Sequence, residues 1–350
     1  MDWLTNLWNY IKVKVTGVSM PAPAGHVKTA PKPIFKGAAK VQIPNEIVMG
    51  ADISDQQIER SKYIKVVKNP PYRIKSGDNL ESIAKKFHVE VCSIMALNGL
   101  DAEKAKKIRP GQTLKMPPSR KIRNVKNLND VAKSMGVSLD FVKKLKRVED
   151  NGELGANEFH LTPYKDKAGV LTIGIGHVLK PGDPREITKE KVAELCASDL
   201  LKMEENISVL LGGKKNFEKL PQPMKEALLD MVFNKGTAII EKTPGLLYCL
   251  KAGKYEAAIN KFTNNKSSKT GKEMSGLSKR RLFDISLAVK MYNGKIPQSN
   301  INTAQQVYNR GIELLRAECK KDGKNFQNQL AGYNKDVQSY LGNKIKLITK

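Results

Sequence analysis

The chain has 350 residues, 40% hydrophobic and 27% charged, a length and balance that allow two or three folded units of ordinary soluble globular composition. Its 61 Lys+Arg against 35 Asp+Glu leave a formal charge of +26, which predicts attraction to a polyanion, either nucleic acid or a bacterial cell wall with its anionic polymers. No leucine-zipper, zinc-finger or aromatic-studded RNA-binding signature accompanies the charge, and no apolar run approaches the roughly 20 residues of a membrane span.

Cys92, Cys196, Cys249 and Cys319 lie far apart with no Cys/His ligand spacing, which argues against a zinc site or a disulfide framework and for reduced, buried thiols. The start, MDWLTNLWNYIKVKV, lacks a basic leader and is interrupted by Asp2, Asn6 and Asn9, so no secretory signal is expected. Trp3, Leu4, Leu7, Trp8 and Ile11 share one helical face, a short amphipathic segment suited to a partner, a membrane surface or its own domain. Residues 14–44, rich in Pro, Ala, Gly and Lys, read as an extended linker; residues 1–70 are taken together as a docking segment, with a short helix expected at SDQQIERSKYIK.

From residue 72 to 117 a strand with Tyr72 and Ile74, a turn at Ser76-Gly77-Asp78, a helix LESIAKKF, a second helix over 89–97 and a returning strand GQTLKM give β-α-α-β. Tyr72, Gly77, Asp78, Leu80, Ile83, Ala84, Asn98, Ile108, Pro110, Gly111, Leu114 and Pro117 stand where a LysM domain has them, and residues 71–118 resemble that family throughout. The resemblance implies binding of N-acetylglucosamine-containing glycan through the loops around 77–80 and 98–108, with Gly77, Asp78 and Asn98 as candidate contacts. His88 reads as a helix-end residue.

A basic connector leads to two short helices, LNDVAKSMG and SLDFVKKLKRVE, broken at Gly136-Val137-Ser138, with Ser138 a good N-cap. Residues 119–138 are expected as a connector helix. The pair superficially suggests a helix-turn-helix, but its second helix carries Lys143, Lys144, Lys146 and Arg147 rather than base-reading Asn or Gln, so specific nucleic-acid binding is not expected. Leu139, Val142, Leu145 and Val148 form its apolar face, and its last turn delivers Glu149. The following run, TPYKDKAGVLTIGIGH, has strand-like residues on both sides of Lys-Ala-Gly169, so Asp166 and Thr172 project near each other across a hairpin. A carboxylic acid on a helix end facing a carboxylate on a hairpin is the pair that glycosidic hydrolysis requires.

The stretch 161–177 is similar, nearly residue for residue, to the phage-type lysozymes. Ile187-Thr188 with Asp199, the run 227–236 ending in Asn234 and Gly236, and Gly276-Leu-Ser-Lys-Arg280-Arg281 follow in the family's order, so the likeness spans roughly 139–292. It implies an α+β fold, a mainly helical two-lobe lysozyme domain over 139–295 with a small hairpin sheet, cleaving peptidoglycan without metal or cofactor. Asp166 and Thr172 fall on the family's water-positioning aspartate and threonine. The acid is open: Asp150 stands where the family has Gly and extra residues follow, so Glu149 is favoured, Glu158 is the rival and Glu153 a distant third. Asn234, Arg280 and Arg281 are candidate substrate contacts, the arginines alternatively holding the acid, and His177 is expected to be structural, paired with an acid of the other lobe.

The basic loop NNKSSKTGKEM suits an anionic glycan or a solvated surface, and residues 296–350 form a helical extension that the family does not explain. The expectation is a muramidase targeted by LysM, acting as a holin-released endolysin or a virion-associated lysin. The rival from another class is a structural tail or baseplate component, its LysM an assembly adaptor, with phage proteins docked through the N-terminal helix and C-terminal extension.

Overall fold

The computed structural model describes residues 53–150, 154–155, 157–166, 169–267, 270–342 and 345. The expected Trp-bearing helix and the Pro-rich linker lie outside these residues, as does Glu153.

Helix α1 (Ile53–Tyr63) runs into β1 (Ile64–Val67). The LysM segment follows as β2 (Tyr72–Arg73), α2 (Leu80–Phe87), α3 (Val91–Leu97), a short α4 (Ala102–Ala105) and β3 (Thr113–Leu114). Tyr72 pairs with Leu114 across the two-stranded sheet, and Ile83, Ile94, Met95 and Leu114 fill the space beneath it. His88 closes α2 in the left-handed conformation, as a helix-end residue.

The segment expected as a connector helix begins instead as a strand, β4 (Ser119–Ile122), antiparallel to β1 with Ile64 opposite Ile122 and Val67 opposite Ser119. This ribbon brackets the LysM unit at its base. Its outer ends are tied down by charge. Arg60 of α1 and Arg120 of β4 both reach Glu204, at 2.6 and 3.0 Å, on a carboxylate with no exposed surface. Burial alone would raise that carboxyl; the two guanidiniums overcome it and hold it below its ordinary value.

Helices α5 (Leu128–Met135) and α6 (Leu139–Glu149) are capped by Asn127 and by Ser138, whose hydroxyl accepts from Phe141 N. The helix-turn-helix likeness ends here: Phe141, Val142 and Leu145 are completely buried, so α6 is a core helix. A three-stranded antiparallel sheet follows, β5 (His160–Lys165), β6 (Leu171–Gly174) and β7 (His177–Val178). The long α7 (Lys189–Leu211) carries Glu204 and connects the sheet to the helical remainder: α8 (Lys214–Glu218), α9 (Gln222–Lys235), α10 (Ala238–Glu241), α11 (Leu246–Lys251), α12 (Tyr255–Ile259) and α13 (Ser275–Ala288). The small sheets and helical bulk make an α+β protein.

The extension forms α14 (Gln298–Asp322) and α15 (Phe326–Leu341), both packed on α13. Glu318 of α14 accepts from the Ser275 backbone at 2.9 Å and from its hydroxyl at 2.5 Å, placing a carboxylate at the positive end of α13. Lys279 pairs with Asp336, and Phe283 meets the Tyr340 ring at 5.2 Å. These contacts give the extension a packing role against the helix that bears Arg280.

Gly311 is the crossing point. A Cβ built there would lie 2.0 Å from Tyr333 Oη and 3.0 Å from Ser278 Cβ. Gly311→Ala is therefore expected to cost about 1–3 kcal/mol of overpacking strain, read as a lower Tm. Tyr333 Oη is buried without a hydrogen-bond partner among the described residues, so Tyr333→Phe alone is expected to be near neutral and to recover part of the loss in the double variant. Equal Tm values for Gly311→Ala and the parent chain would refute this crossing.

Candidate active site

Glu149 sits at the C-terminal end of α6, where the buried Phe141, Val142 and Leu145 fix the helix and hence its last turn. The β6–β7 turn closes over it. Gly176, at φ +64°, comes so near that a Cβ would be 2.9 Å from Glu149 Oε2 and 3.1 Å from Phe233 Cε1. Only glycine fits at that position, on conformational and steric grounds together. Gly174, at φ +65°, likewise lies against Val192 of α7, so the Gly-Ile-Gly-His run is a turn pressed between the acid and the long helix.

On its other side Glu149 Oε1 lies 2.9 Å from Arg280 Nη2, an ion pair whose angle falls outside hydrogen-bond geometry. Arg280 grips Asp230 of α9 in a two-pronged contact, Nε to Oδ2 and Nη2 to Oδ1, both 2.6 Å. Asp230 is fully buried, whereas the Glu149 side chain keeps about a fifth of its surface open. Burial is the largest influence on Glu149 and raises its pKa; Arg280 pulls it down, Asp230 and Asp166 push it up, and the net is a raised carboxyl. A carboxyl held towards its protonated form yet still reachable is what a general acid needs.

Asp166 ends β5. Its Oδ1 accepts from Val170 N at 2.7 Å, and backbone bonds between Asp166 and both Gly169 and Val170 close the hairpin, with Gly169 at φ +79°. Thr172 stands directly opposite Tyr164, so Asp166 and Thr172 occupy the same face as diagonal neighbours. The Thr172 hydroxyl is buried and donates to the Tyr164 carbonyl at 3.3 Å. Tyr164 escaped the sequence reading. Its phenol, raised by burial, engages Thr172 and the Gly176 backbone and feels Glu149 and Asp166, which places it among the site groups. Only its cross-strand position opposite Thr172 could have signalled this.

His177 Nδ1 is 2.6 Å from Asp199 Oδ2 on α7, tying the sheet to the long helix. Glu158 is exposed, and its Oε2 accepts from Gly155 N at 2.9 Å as a turn-closing group. Asp150 explains the departure from the family pattern after Glu149. It is buried and bound to Lys146 Nζ at 2.6 Å, and the same ammonium donates to Gly155 O at 2.8 Å. Gly155 is thus tied to α6, and Glu149 keeps its place at the helix end.

Several residues expected to contact glycan also make contacts within the protein. Arg281 has no exposed surface; its Nε meets Asp284 at 3.0 Å and its Nη2 donates to Asn234, so it is a core residue and Asn234 is its partner. Asn98 donates to Ile94 O and Lys115 O and accepts from Lys115 N, its amide wholly engaged in joining α3 to β3. Asp78 accepts from Tyr72 Oη and Lys75 N, and Gly77 at φ +83° shapes that same turn. All four cysteines are buried and free, and no helix among the described residues is long and apolar enough to cross a membrane.

Residues 156–283 match the phage lysozyme family model and residues 72–117 the LysM domain model. The Endolysin of Salmonella phage P22 is 33% identical over 152 residues, covering 42% of this chain and 93% of that protein. The chain belongs to the phage lysozyme family. It is a muramidase by that membership, with a LysM domain ahead of the catalytic one. The active form of the P1 phage endolysin Lyz is 16% identical, covering 47% of this chain and 95% of its own, with a TM-score of 0.37. The muramidase domain of SpmX from Asticaccaulis excentricus is 22% identical, covering 44% and 97%, with a TM-score of 0.35. The family match starts at residue 156, beyond Glu149, so it is the fold that brings this lysozyme's candidate acid to the hairpin.

Proposed function

We propose that this lysozyme hydrolyses the β-1,4 bond between N-acetylmuramic acid and N-acetylglucosamine, with Glu149 as general acid, Asp166 as the carboxylate that positions and deprotonates the attacking water, and Thr172 helping to hold that water. The observation that carries it is Glu149, raised and partly open at the end of α6, facing the hairpin that bears Asp166. Arg280 occupies Oε1, so Oε2 carries the proton passed to the leaving glycosidic oxygen. The water adds to the anomeric carbon from the opposite face and its proton goes to Asp166, an inverting displacement. Tyr164 fixes the Thr172 hydroxyl, and His177 with Asp199 braces the β6–β7 turn over the acid.

The LysM domain supports a wall-binding role and places the enzyme on the polymer it cuts. It is held against the catalytic domain by the Arg60–Glu204–Arg120 cluster rather than trailing on a loose tether. Action at the cell wall, reached through a holin or from the virion, fits this reading. Digestion of purified peptidoglycan followed by mass spectrometry of the new reducing ends is expected to find N-acetylmuramic acid there. Reducing-end glucosamine, or no release at all, would overturn the assignment.

A further inference from the structure

The C-terminal extension meets the catalytic domain along α13 in matched steps. Lys279 pairs with Asp336 and, four residues further in both helices, Phe283 meets Tyr340, so α15 runs beside α13 in the same direction. Tyr333, Val337 and Leu341, four residues apart and all buried, turn one face of α15 inward, and the half-buried Tyr340 stands at the edge of that face. Between the two contacts on α13 lies Arg280, which grips Asp230 and pairs with Glu149.

Phe283 links the two. Its completely buried ring lies 5.2 Å from the Tyr340 ring, and Arg280 Cζ stands 5.9 Å from the centre of the same Phe283 ring, within cation–π range. Tyr340 is near enough to the charged pair to feel both members. Burial pushes its phenol up to about 12, with Asp336 and Asp230 adding to the rise and Arg280 and Arg147 opposing it. Arg147 belongs to α6, two residues before Glu149, so Tyr340 stands where the acid's helix, the arginine's helix and the extension come together. It also lies beyond residues 156–283, the part of the chain that matches the lysozyme family model.

We propose that Tyr340 is a positioning residue of the muramidase: with Phe283 it closes the outer side of the Arg280–Asp230 pair to water and so keeps dry the setting in which Glu149 works as the acid. This rests on the muramidase reading above. The sign of its effect follows from which influence on Glu149 is larger. Burial comes first and raises it; Arg280 comes next and lowers it. Without the Tyr340 ring, water reaches the pair, while the two-pronged bond to Asp230 keeps Arg280 in place. The larger influence weakens, and Glu149 ionises at lower pH.

The test measures kcat and KM of the full chain on purified peptidoglycan across pH. Tyr340→Ala is expected to move the alkaline limb of the kcat profile down by about 0.5–1 pH unit and to lower kcat at neutral pH roughly three- to tenfold, with KM unchanged. Tyr340→Phe keeps the ring and is expected to keep the parent profile. Glu318→Gln is the structural control, since it loosens the extension at the start of α13, and it should lower Tm with the limb in place. Should Tyr340→Ala fold poorly, Tyr340→Leu is expected to shift the limb in the same direction by a smaller amount. A limb that stays or moves up on loss of the ring, a change in KM alone, a Tyr340→Phe profile like that of Tyr340→Ala, or an equal shift in Glu318→Gln overturns the role of Tyr340 and leaves the muramidase standing. No release by the parent chain overturns the muramidase reading and this role with it.

Discussion

Glu149→Gln is expected to lose about 10²–10⁴-fold in kcat on peptidoglycan, the usual range for removing a general acid, while Glu158→Gln keeps near-parent activity. The contrast follows from where the two carboxyls sit. Glu149 is pinned between the Gly176 backbone and Arg280, and its pKa is raised by burial, so it can hold a proton and deliver it in a fixed direction. Glu158 lies exposed on the loop side and closes a turn with Gly155. The same substitution carries a stability signature. A carboxyl whose folded pKa is above its unfolded value contributes stability that is fully present below the unfolded pKa and lost as pH rises through the folded pKa. The amide that replaces it does not ionise, so the Tm of Glu149→Gln relative to the parent should improve between acid and neutral pH. An inactive variant whose Tm difference does not move in that direction would mean that Glu149 is not held neutral by burial. Full activity in Glu149→Gln would remove it from the mechanism altogether.

Much of this site could be read from the chain because its parts are local. The hairpin needs a positive φ at Gly169, and the register then follows from alternation, which brings Asp166 and Thr172 to one face. Ser138 starts α6 and the apolar spacing carries it to Glu149. What escaped depends on partners distant in sequence. Arg280 and Arg281 are adjacent and chemically identical, but about 100° apart on a helix. One turns to Asp230 and Glu149, the other into the core against Asp284, and only the packed neighbours of α13 decide which. The β1–β4 ribbon is invisible for the same reason: two four-residue strands pair across the whole LysM unit, and Arg60 of α1 and Arg120 of β4 beside them converge on one buried carboxylate of α7. Asn98 carries a structural role that the sequence does not show, bonding Ile94 of α3 to Lys115 just after β3.

Arg280→Leu is expected to destabilise the fold by about 3–5 kcal/mol at neutral pH, because it leaves the buried Asp230 without its two-pronged partner. Its effect on chemistry has a definite sign. Arg280 opposes the burial that raises Glu149, so without it Glu149 keeps its proton to higher pH and the alkaline limb of the kcat profile moves up. Arg280→Lys, which retains the charge but cannot form the fork, should fold better and shift the limb less. Asp230→Asn is the opposing control. Asp230 pushes Glu149 up directly and also takes up two of the donors of Arg280, so its neutralisation leaves the guanidinium free to favour ionised Glu149, and the alkaline limb should move down. Arginine beside a catalytic acid would by itself disable it at neutral pH. The buried aspartate behind that arginine lets Arg280 orient the carboxyl without stripping its proton. Limbs that shift in the same direction in Arg280→Lys and Asp230→Asn would show that the triad only supports the fold and does not tune Glu149.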